Sequence, residues 1–445
     1  MTLIQLFQFI LSISILVILH ELGHFIPAKY FKTKVEKFYL FFDPWFSLAK
    51  INFRGTEYGI GWLPFGGYVK IAGMVDESMD TKQLKKPAEP WEFRSKPAWQ
   101  RLIIMMGGVT VNFFLAWLIY SCLSYFKGET FHDNAKFENG IAVSEAGQKM
   151  GLQTGDKILK IDGKPAERME TSTINMLFAD NATVLRNGKE VTFPIDEKGV
   201  AAVLSENEAK AYFIPRYPVV IDSLLTNGPA KMAGLIKGDK IIGINGKRVR
   251  YFDEFGAELL QFKNQNINLT VERNNTTQEL TAKVDANGKL GFSQDLKIAQ
   301  AEFDKTKVTK EYSLLAAIPR GLERTIDVLT MQIKQFKIVF NSTTQGYKKV
   351  SGPIGIIKQM PETINWEFFW SFTAMFSVWL AFLNLIPIPG LDGGHVVFTL
   401  WEMITGKPVP QKVLENAQMI GVIFLLGLMV LIFGNDIFKW ITGKF

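Results

Sequence analysis

The chain has 445 residues, of which 47% are hydrophobic, 13% aromatic and 21% charged. This composition excludes a disordered, collagenous or low-complexity chain, and the length predicts about three domains. The mean hydropathy of +0.10 is too low for a chain that lies entirely in a membrane, so apolar spans should alternate with soluble segments. The net charge of +7 comes from dispersed basic residues, which argues against a nucleic-acid partner and is typical of a cytoplasmic membrane face.

Four apolar stretches are long enough, or nearly long enough, to cross a bilayer. Uncharged runs cover residues 1–19, 102–126, 368–386 and 419–434. The first run is not typical of a cleaved signal peptide, because no Lys or Arg precedes it and no small-residue cleavage site follows it. We therefore predict four transmembrane helices, with the lipid bilayer as a partner.

The basic residues predict how these spans are oriented. Residues 27–101 contain thirteen Lys and Arg, so the positive-inside rule makes this loop cytoplasmic. Alternation of the spans then predicts that residues 127–366 lie outside and that the loop 388–417 returns to the cytoplasmic side.

The long segment between the second and third spans contains a repeat. Residues 149–164 and 232–247 share nine identical positions at a fixed offset of 83, in the pattern GLxxGDxIxxIxG. This unit resembles the PDZ domain, and the resemblance covers roughly 130–215 and 217–297. PDZ domains bind extended peptides or C-termini beside an exposed strand. The alternative is that the two copies act only as rigid spacers or as a size filter.

An amphipathic helix is predicted after the repeat. Apolar residues recur every three or four positions from Ile318 to Phe340, with charged residues on other faces. The helix can lie on the outer membrane face or pack against the second repeat copy, and the sequence does not choose between them.

The first apolar span runs into the motif His20-Glu21-Leu22-Gly23-His24. Residues i and i+4 share one helix face, so both imidazoles can bind one Zn²⁺ with the glutamate beside the metal's water. The alternative is a pair of packed histidines. Burying two His and a Glu in an apolar helix without partners is costly, so the metal site is the stronger hypothesis.

Two histidines leave a third zinc ligand to be found. The chain after His24 does not continue as HExxHxxGxxH, so the ligand must come from elsewhere. Asp392 is favoured, because it follows Pro387 and Pro389, which break a helix at membrane depth, and unwound backbone there is tolerated only beside a cavity. His395 is the rival for the same role, and an ordinary Asp-Gly-Gly turn is the structural alternative.

Taken together, these motifs resemble those of a known protein family. HELGH in a first span and NLIPIPGLDGGH at the end of a third look like the site-2 protease family of intramembrane zinc metalloproteases. The PDZ-like copies between spans two and three resemble its RseP-type bacterial members (regulator of sigma-E protease). Further matches are EY with PFGGYVK at 57–70, which resembles the membrane-reentrant β-loop, GGVTVN at 107–112 and SGPIG at 351–355.

The resemblance implies the roles of individual residues. The implied zinc ligands are His20, His24 and Asp392, and the implied general base is Glu21. Substrate or oxyanion binding is implied for Asn112 and Asn384, for which a hydrogen bond between packed helices is the alternative. The strand Gly59-Ile60-Gly61 of the β-loop is expected to pair with an unwound substrate, unless it is simply a hairpin with glycine bends.

The expected fold is a multi-pass α-helical membrane protein, with four transmembrane helices, a membrane-reentrant β-loop and two α/β PDZ-like domains inserted between helices two and three. The predicted divisions are 1–126 (spans one and two with the β-loop and HExxH), 127–215 and 216–298 (the PDZ-like domains), 299–365 (the amphipathic helix region) and 366–445 (spans three and four with the LDG motif).

The expected function is zinc-dependent cleavage of transmembrane segments in regulated intramembrane proteolysis. The resemblance implies single-pass membrane protein substrates, of the anti-sigma factor or remnant signal peptide type. It also implies a bacterial inner membrane location, with the PDZ-like domains on the extracytoplasmic side. The rivals are a CAAX-type membrane peptidase, against which the distant LDG motif argues, and a non-proteolytic PDZ-bearing scaffold or transporter, against which an intact Glu21 argues.

Overall fold

The computed structural model describes residues 2–74, 87–205 and 211–442. Contacts divide the chain into two compact units. The helical unit comprises Met1–Gly128, Glu311–Ile333 and Val350–Phe445, and the repeat unit comprises Glu129–Lys310 and Lys334–Lys349. Residues 75–86 of the basic loop lie outside the described residues, and the five divisions inferred from the sequence stay predictions.

The elements follow one another in three groups. The first group is α1 (Leu3–Tyr30), β1 (Val35–Phe53), β2 (Thr56–Ile71) and α2 (Ala98–Lys127). The second is β3 (Glu129–His132), β4 (Ile141–Val143), α3 (Glu145–Lys149), β5 (Lys157–Ile161), β6 (Lys164–Pro165), α4 (Met169–Leu177), β7 (Asn181–Arg186), β8 (Lys189–Pro194), α5 (Glu197–Ser205), β9 (Phe213–Pro215), β10 (Val219–Leu224), α6 (Pro229–Met232), β11 (Lys240–Ile244), β12 (Lys247–Arg248), α7 (Phe252–Leu259), β13 (Asn266–Arg273), β14 (Thr276–Lys283), β15 (Phe292–Gln294), α8 (Leu296–Asp304) and β16 (Lys307–Lys310). The third is α9 (Leu314–Val339), α10 (Pro353–Gln359), α11 (Trp366–Leu385), α12 (Asp392–Thr405) and α13 (Gln411–Ile441).

Four of the described helices are long and apolar enough to cross a membrane, namely α1, α2, α11 and α13. They match the four apolar runs of the sequence, two of which extend one or two residues past the helix ends. Close packing of α1 on α2 depends on glycine, because a Cβ atom on Gly23 would lie 2.4 Å from the carbonyl oxygen of Gly107. Helix α1 also meets α11 through a buried hydrogen bond between the hydroxyls of Ser12 and Thr373, 2.9 Å apart.

Strands β1 and β2 form a hairpin in which each strand doubles back. Residues 35–42 of β1 pair with 63–71 of β2, and 47–53 pair with 56–61. A further set of pairs joins the two inner segments: Lys37 with Glu57, Phe38 with Tyr58, Tyr39 with Gly59 and Leu40 with Ile60. The segments 47–53 and 63–71 therefore lie at the two edges of this sheet.

Helix α10 contacts α13 through the buried carboxylate of Asp436, which lies in α13. Asp436 accepts hydrogen bonds from the backbone N–H groups of Gly352, Ile354 and Gly355, at 2.9, 2.9 and 3.2 Å. Free N–H groups at the start of a helix favour a negative charge, so the SGPIG segment is the binding site for this aspartate.

Helix α9 belongs to both units. In the helical unit it packs on α2, where the indole N–H of Trp117 donates to the carbonyl of Ile318 at 2.8 Å and the Arg324 guanidinium lies 4.6 Å from the ring centroid of Tyr120. In the repeat unit Lys334 pairs with Asp162, and Lys337 lies 2.7 Å from Asp180. These partners lie in α2 and in the first repeat copy, rather than in the second copy that the sequence analysis considered.

The two repeat copies build the same order of elements. Strand β5, β6, helix α4 and strands β7 and β8 of the first copy correspond to β11, β12, α7, β13 and β14 of the second. Each copy has its own hydrophobic core, and neither core draws on the other's strands.

Each copy also repeats a buried ion pair. In the first copy, Asp156 of the GD motif accepts a hydrogen bond from Arg186 at the end of β7. In the second copy, Asp239 accepts a hydrogen bond from Arg273 at the end of β13. Burial raises the pKa of Asp239, but the hydrogen bonds from Arg273 and a backbone N–H outweigh it and leave that pKa below its ordinary value.

Candidate metal centre

Helix α1 presents both histidines on one face. The imidazole Nε2 atoms of His20 and His24 are 3.3 Å apart, and the rings meet edge to face. The side chain of His24 is buried and that of His20 is nearly so. One turn of helix separates the two residues, which is why a spacing of four brings both nitrogens to the same point.

Asp392 completes the cluster from the other end of the chain. Helix α11 ends at Leu385, and α12 begins at Asp392 itself. The connection folds back so tightly that a Cβ atom on Gly393 would lie 2.3 Å from the carbonyl oxygen of Ile386. Gln418 of α13 holds this loop, because its side-chain oxygen accepts from the backbone N–H of Gly390 at 3.2 Å.

The three side chains fit a zinc ion. Asp392 Oδ2 lies 3.3 Å from His20 Nε2 and 3.2 Å from His24 Nε2. Ligands bonded at 2.0–2.1 Å to a tetrahedral Zn²⁺ are about 3.3 Å from one another. Asp392 Oδ2 is also buried without a hydrogen-bond partner among the described residues, which is what a metal-binding oxygen requires. These three residues form the one cluster of possible metal ligands found in the described part of the chain.

The orientation of His24 matches the same role. Its Nδ1 atom lies 2.8 Å from the carbonyl oxygen of Ile104 in α2, so Nδ1 carries the proton and donates it there. Nε2 is left with its lone pair directed at the cluster. Helix α2 comes this close because it has glycine at 108, where a Cβ atom would lie 2.4 Å from His24 Nε2.

Glu21 lies beside the cluster, within electrostatic reach of His20, His24 and Asp392. The backbone N–H of Val69 in β2 also lies within electrostatic reach of its carboxylate. A cavity of about 720 Å³ adjoins these residues. Its walls include residues of α1, α2, α11, α12 and α13, of strand β1, and of the 63–71 edge of the hairpin, where Gly66, Gly67, Tyr68, Val69, Lys70 and Ile71 line it.

The two asparagines implied by the family resemblance both reach His20. Asn384 Nδ2 lies 3.4 Å from His20 Nε2, and its side chain lines the cavity. Asn112 Nδ2 lies 3.1 Å from the other ring nitrogen, Nδ1. His395, the rival third ligand, lines the cavity but is not part of the three-residue cluster.

Gly59, Ile60 and Gly61 are placed differently from the expected free edge. Gly59 pairs with Tyr39 and Lys50, and Ile60 pairs with Leu40 and Ala49, so both backbone edges are already used. Gly61 pairs with Ser47. The reason is that β1 doubles back and covers this segment on both sides. Pairing of a substrate with these residues would require part of the hairpin to open.

Three contributors to the site carry no sequence signal of their own. The carbonyl of Ile104 is a backbone group, and Gln418 is one polar residue near the start of a long apolar helix. The N–H of Val69 comes near Glu21 only through the packing of the hairpin against α1, which no local sequence pattern predicts. The glycines at 107 and 108 were noticed as part of a motif, but only the packing explains why they must be small.

Four apolar helices, one of which carries an HExxH motif that meets a distant aspartate beside a cavity, define a class, the membrane-embedded metalloproteases. Residues 8–428 match peptidase family M50. The chain therefore belongs to family M50, the site-2 proteases, and is an intramembrane zinc metalloprotease of the bacterial inner membrane.

Individual relatives are similar over almost their entire length. The regulator of sigma E protease of Haemophilus influenzae is 30% identical over 461 residues, which span 97% of this chain and 98% of the relative. The regulator of sigma-E protease RseP of Escherichia coli is 28% identical, across 97% of this chain and 98% of its own. A Neisseria meningitidis chain whose name places it among zinc metalloproteases is 28% identical over the same shares of the two chains.

Proposed function

We propose that His20, His24 and Asp392 bind the zinc ion and that Glu21 is the general base of an endopeptidase that cuts the transmembrane segments of single-pass membrane proteins. The observation that carries this proposal is the triangle of donor atoms, whose sides of 3.2–3.3 Å match a tetrahedral zinc site. No residue of the repeat unit is needed for it.

The chemistry follows from the positions of the side chains. When bound, zinc acts as a Lewis acid that activates a water and polarises the scissile carbonyl. Glu21 takes the proton of the attacking water and passes it to the leaving amine as the peptide bond breaks. The amide of Asn384, on the cavity wall, donates a hydrogen bond to the substrate carbonyl.

The hairpin supports a role in substrate capture. A helix hides its own carbonyl groups, so a transmembrane substrate must unwind before it is cut. The segment 63–71 lines the cavity and pairs on one side with 35–42, while no described strand pairs with its other side. An unwound substrate strand would add to this edge beside Glu21. This assignment replaces the expectation that Gly59, Ile60 and Gly61 form the pairing strand. The hairpin then acts as the membrane-reentrant β-loop.

The repeat copies are assigned as PDZ-like domains on the extracytoplasmic side. Their shared element order and the positive charge of the loop between α1 and α2 support this assignment. They either bind extended peptides or C-termini or exclude substrates that still carry bulky outer domains. Two relatives are named as regulators of a sigma factor, and these names support anti-sigma factors as one substrate type. Remnant signal peptides are the second proposed substrate type.

Metal removal tests this proposal. The full chain in detergent is stripped with a chelator, and its cleavage of a synthetic single-pass membrane peptide is followed by mass spectrometry. We expect loss of cleavage and recovery when one equivalent of Zn²⁺ per chain is restored. A scaffold or transporter would show no cleavage at any zinc level. Cleavage that continues in the stripped protein would contradict the proposal.

A further inference from the structure

Asn112 is buried at the centre of the helical unit, with none of its surface exposed. Its backbone carbonyl accepts from the hydroxyl of Ser377 in α11 at 2.8 Å. Its amide lies 3.1 Å from Nδ1 of His20. Asn112 therefore contacts Nδ1 of His20, which faces away from Asp392, and not Nε2, which faces Asp392.

The identity of the amide atom at this contact decides which tautomer His20 adopts. If the amide NH₂ faces Nδ1, then Nδ1 must accept, and the ring proton is on Nε2, where it blocks a metal bond. If the amide oxygen faces Nδ1, then Nδ1 donates and Nε2 keeps its lone pair. The two orientations differ by a rotation of the amide about its bond, and the hydrogen-bond network selects between them.

The ligand role proposed for His20 favours the oxygen, and the amide oxygen has no other hydrogen bond within the described part of the chain to lose when the amide turns. With the NH₂ at Nδ1, the oxygen of Asn112 is buried without a hydrogen-bond partner among the described residues. Nε2 of His20 meanwhile faces the oxygen of Asp392 and the nitrogen of His24, each at 3.3 Å. A zinc ion at this point requires the lone pair of Nε2, and thus a proton on Nδ1 and an acceptor at Asn112.

We infer that Asn112 is a positioning residue whose side-chain oxygen accepts from Nδ1–H of His20 and so fixes the tautomer that binds zinc. The inference rests on the proposed ligand role of His20. Helix α2 then supplies an acceptor to each imidazole, the carbonyl of Ile104 for His24 and, two turns later, the side chain of Asn112 for His20. This role replaces the substrate or oxyanion binding that the family resemblance implies for Asn112.

Two substitutions separate these roles. Asn112→Leu keeps the size of the side chain and removes the acceptor, whereas Asn112→Asp keeps an acceptor at the same place. Zinc affinity of the full chain in detergent is measured by competition with a chromogenic chelator. We expect a 10–100-fold weaker affinity for Asn112→Leu and recovery in Asn112→Asp. In Co²⁺-loaded protein, the visible absorption bands should change in the leucine variant and be retained in the aspartate variant.

Thr373→Val is the matched structural control, because it removes another buried interhelical hydrogen bond, to Ser12, and none to a histidine. It should leave zinc affinity unchanged. The inference is overturned if Asn112→Leu keeps wild-type zinc affinity, with or without loss of cleavage, or if Thr373→Val weakens zinc binding equally. His20→Ala tests the ligand role separately. Zinc binding that survives this change overturns the proposed function itself, and the inference with it.

Discussion

At the residue scale, the site depends on which of two neighbouring side chains on α12 faces the histidines. Asp392 lies 3.2–3.3 Å from both Nε2 atoms, whereas His395 lines the cavity outside the three-residue cluster. The sequence favoured Asp392 as the third ligand and kept His395 as its rival, because both residues follow the same broken helix. Only the folding back of residues 386–391 decides which side chain comes within ligand distance.

The assignment of Asp392 gives a direct prediction for zinc content. Asp392→Ala should weaken zinc binding by more than about 100-fold, because it removes one of three protein ligands. His395→Ala should change it far less. Both variants are compared by metal analysis after identical dialysis. Equal losses, or a larger loss in His395→Ala, would transfer the ligand role to His395.

At the element scale, the approach of α2 to α1 brings the acceptors for the imidazoles into place. A Cβ atom on Gly108 would lie 2.4 Å from His24 Nε2 and 2.5 Å from His20 Cε1. Gly108→Ala should therefore displace the rings and weaken zinc binding by at least about tenfold. The chelator competition assay measures this loss directly.

Gly427→Ala provides the control for that prediction, because among the described residues no atom outside the glycine's own stretch of α13 backbone lies within 4 Å of the added Cβ. Alanine favours a helix over glycine by about 1 kcal/mol, so this variant should keep its zinc and its stability. Zinc binding that falls to the same extent in both variants would show that any added methyl group in a span disturbs the site, and the specific role of Gly108 would be lost.

Other elements show where sequence patterns stop being informative. The pattern in α9 predicts an amphipathic helix, but it does not identify the neighbour, since α2 and the first repeat copy present partners that are far away in sequence. The glycine-rich hairpin is equally visible, yet its free edge is not. Which edge stays unpaired depends on β1 doubling back, and this long-range pairing has no local signature.

At the scale of the whole molecule, the helical unit contains every residue assigned to the chemistry. The sequence alone predicts the number of spans from apolar runs, the repeat from identical positions and the HExxH motif from the spacing of its residues. The main segment of the repeat unit, Glu129–Lys310, begins and ends in one ladder, because β3 pairs with β16 and Glu129 lies opposite Lys310. Its two ends are therefore about 5 Å apart, and a short linker can replace what lies between them.

This adjacency makes a deletion informative. Replacing residues 129–310 by a short Gly/Ser linker should leave one zinc ion per chain and preserve cleavage of a short membrane peptide. The variant should also cleave a substrate that still carries a folded outer domain, if the repeat copies exclude such substrates. A deleted protein that folds but fails to bind zinc would show that the repeat unit helps to build the metal site.

The central claim, that Glu21 acts as the base beside a zinc ion held by three other side chains, is tested most directly by Glu21→Gln. Zinc content and cleavage of a single-pass membrane peptide are measured on the same preparation of the full chain. We expect wild-type zinc content and a rate that falls by at least about 10²–10⁴-fold, because the ligands remain and the proton acceptor is gone. Near-wild-type cleavage with zinc fully bound would contradict the account.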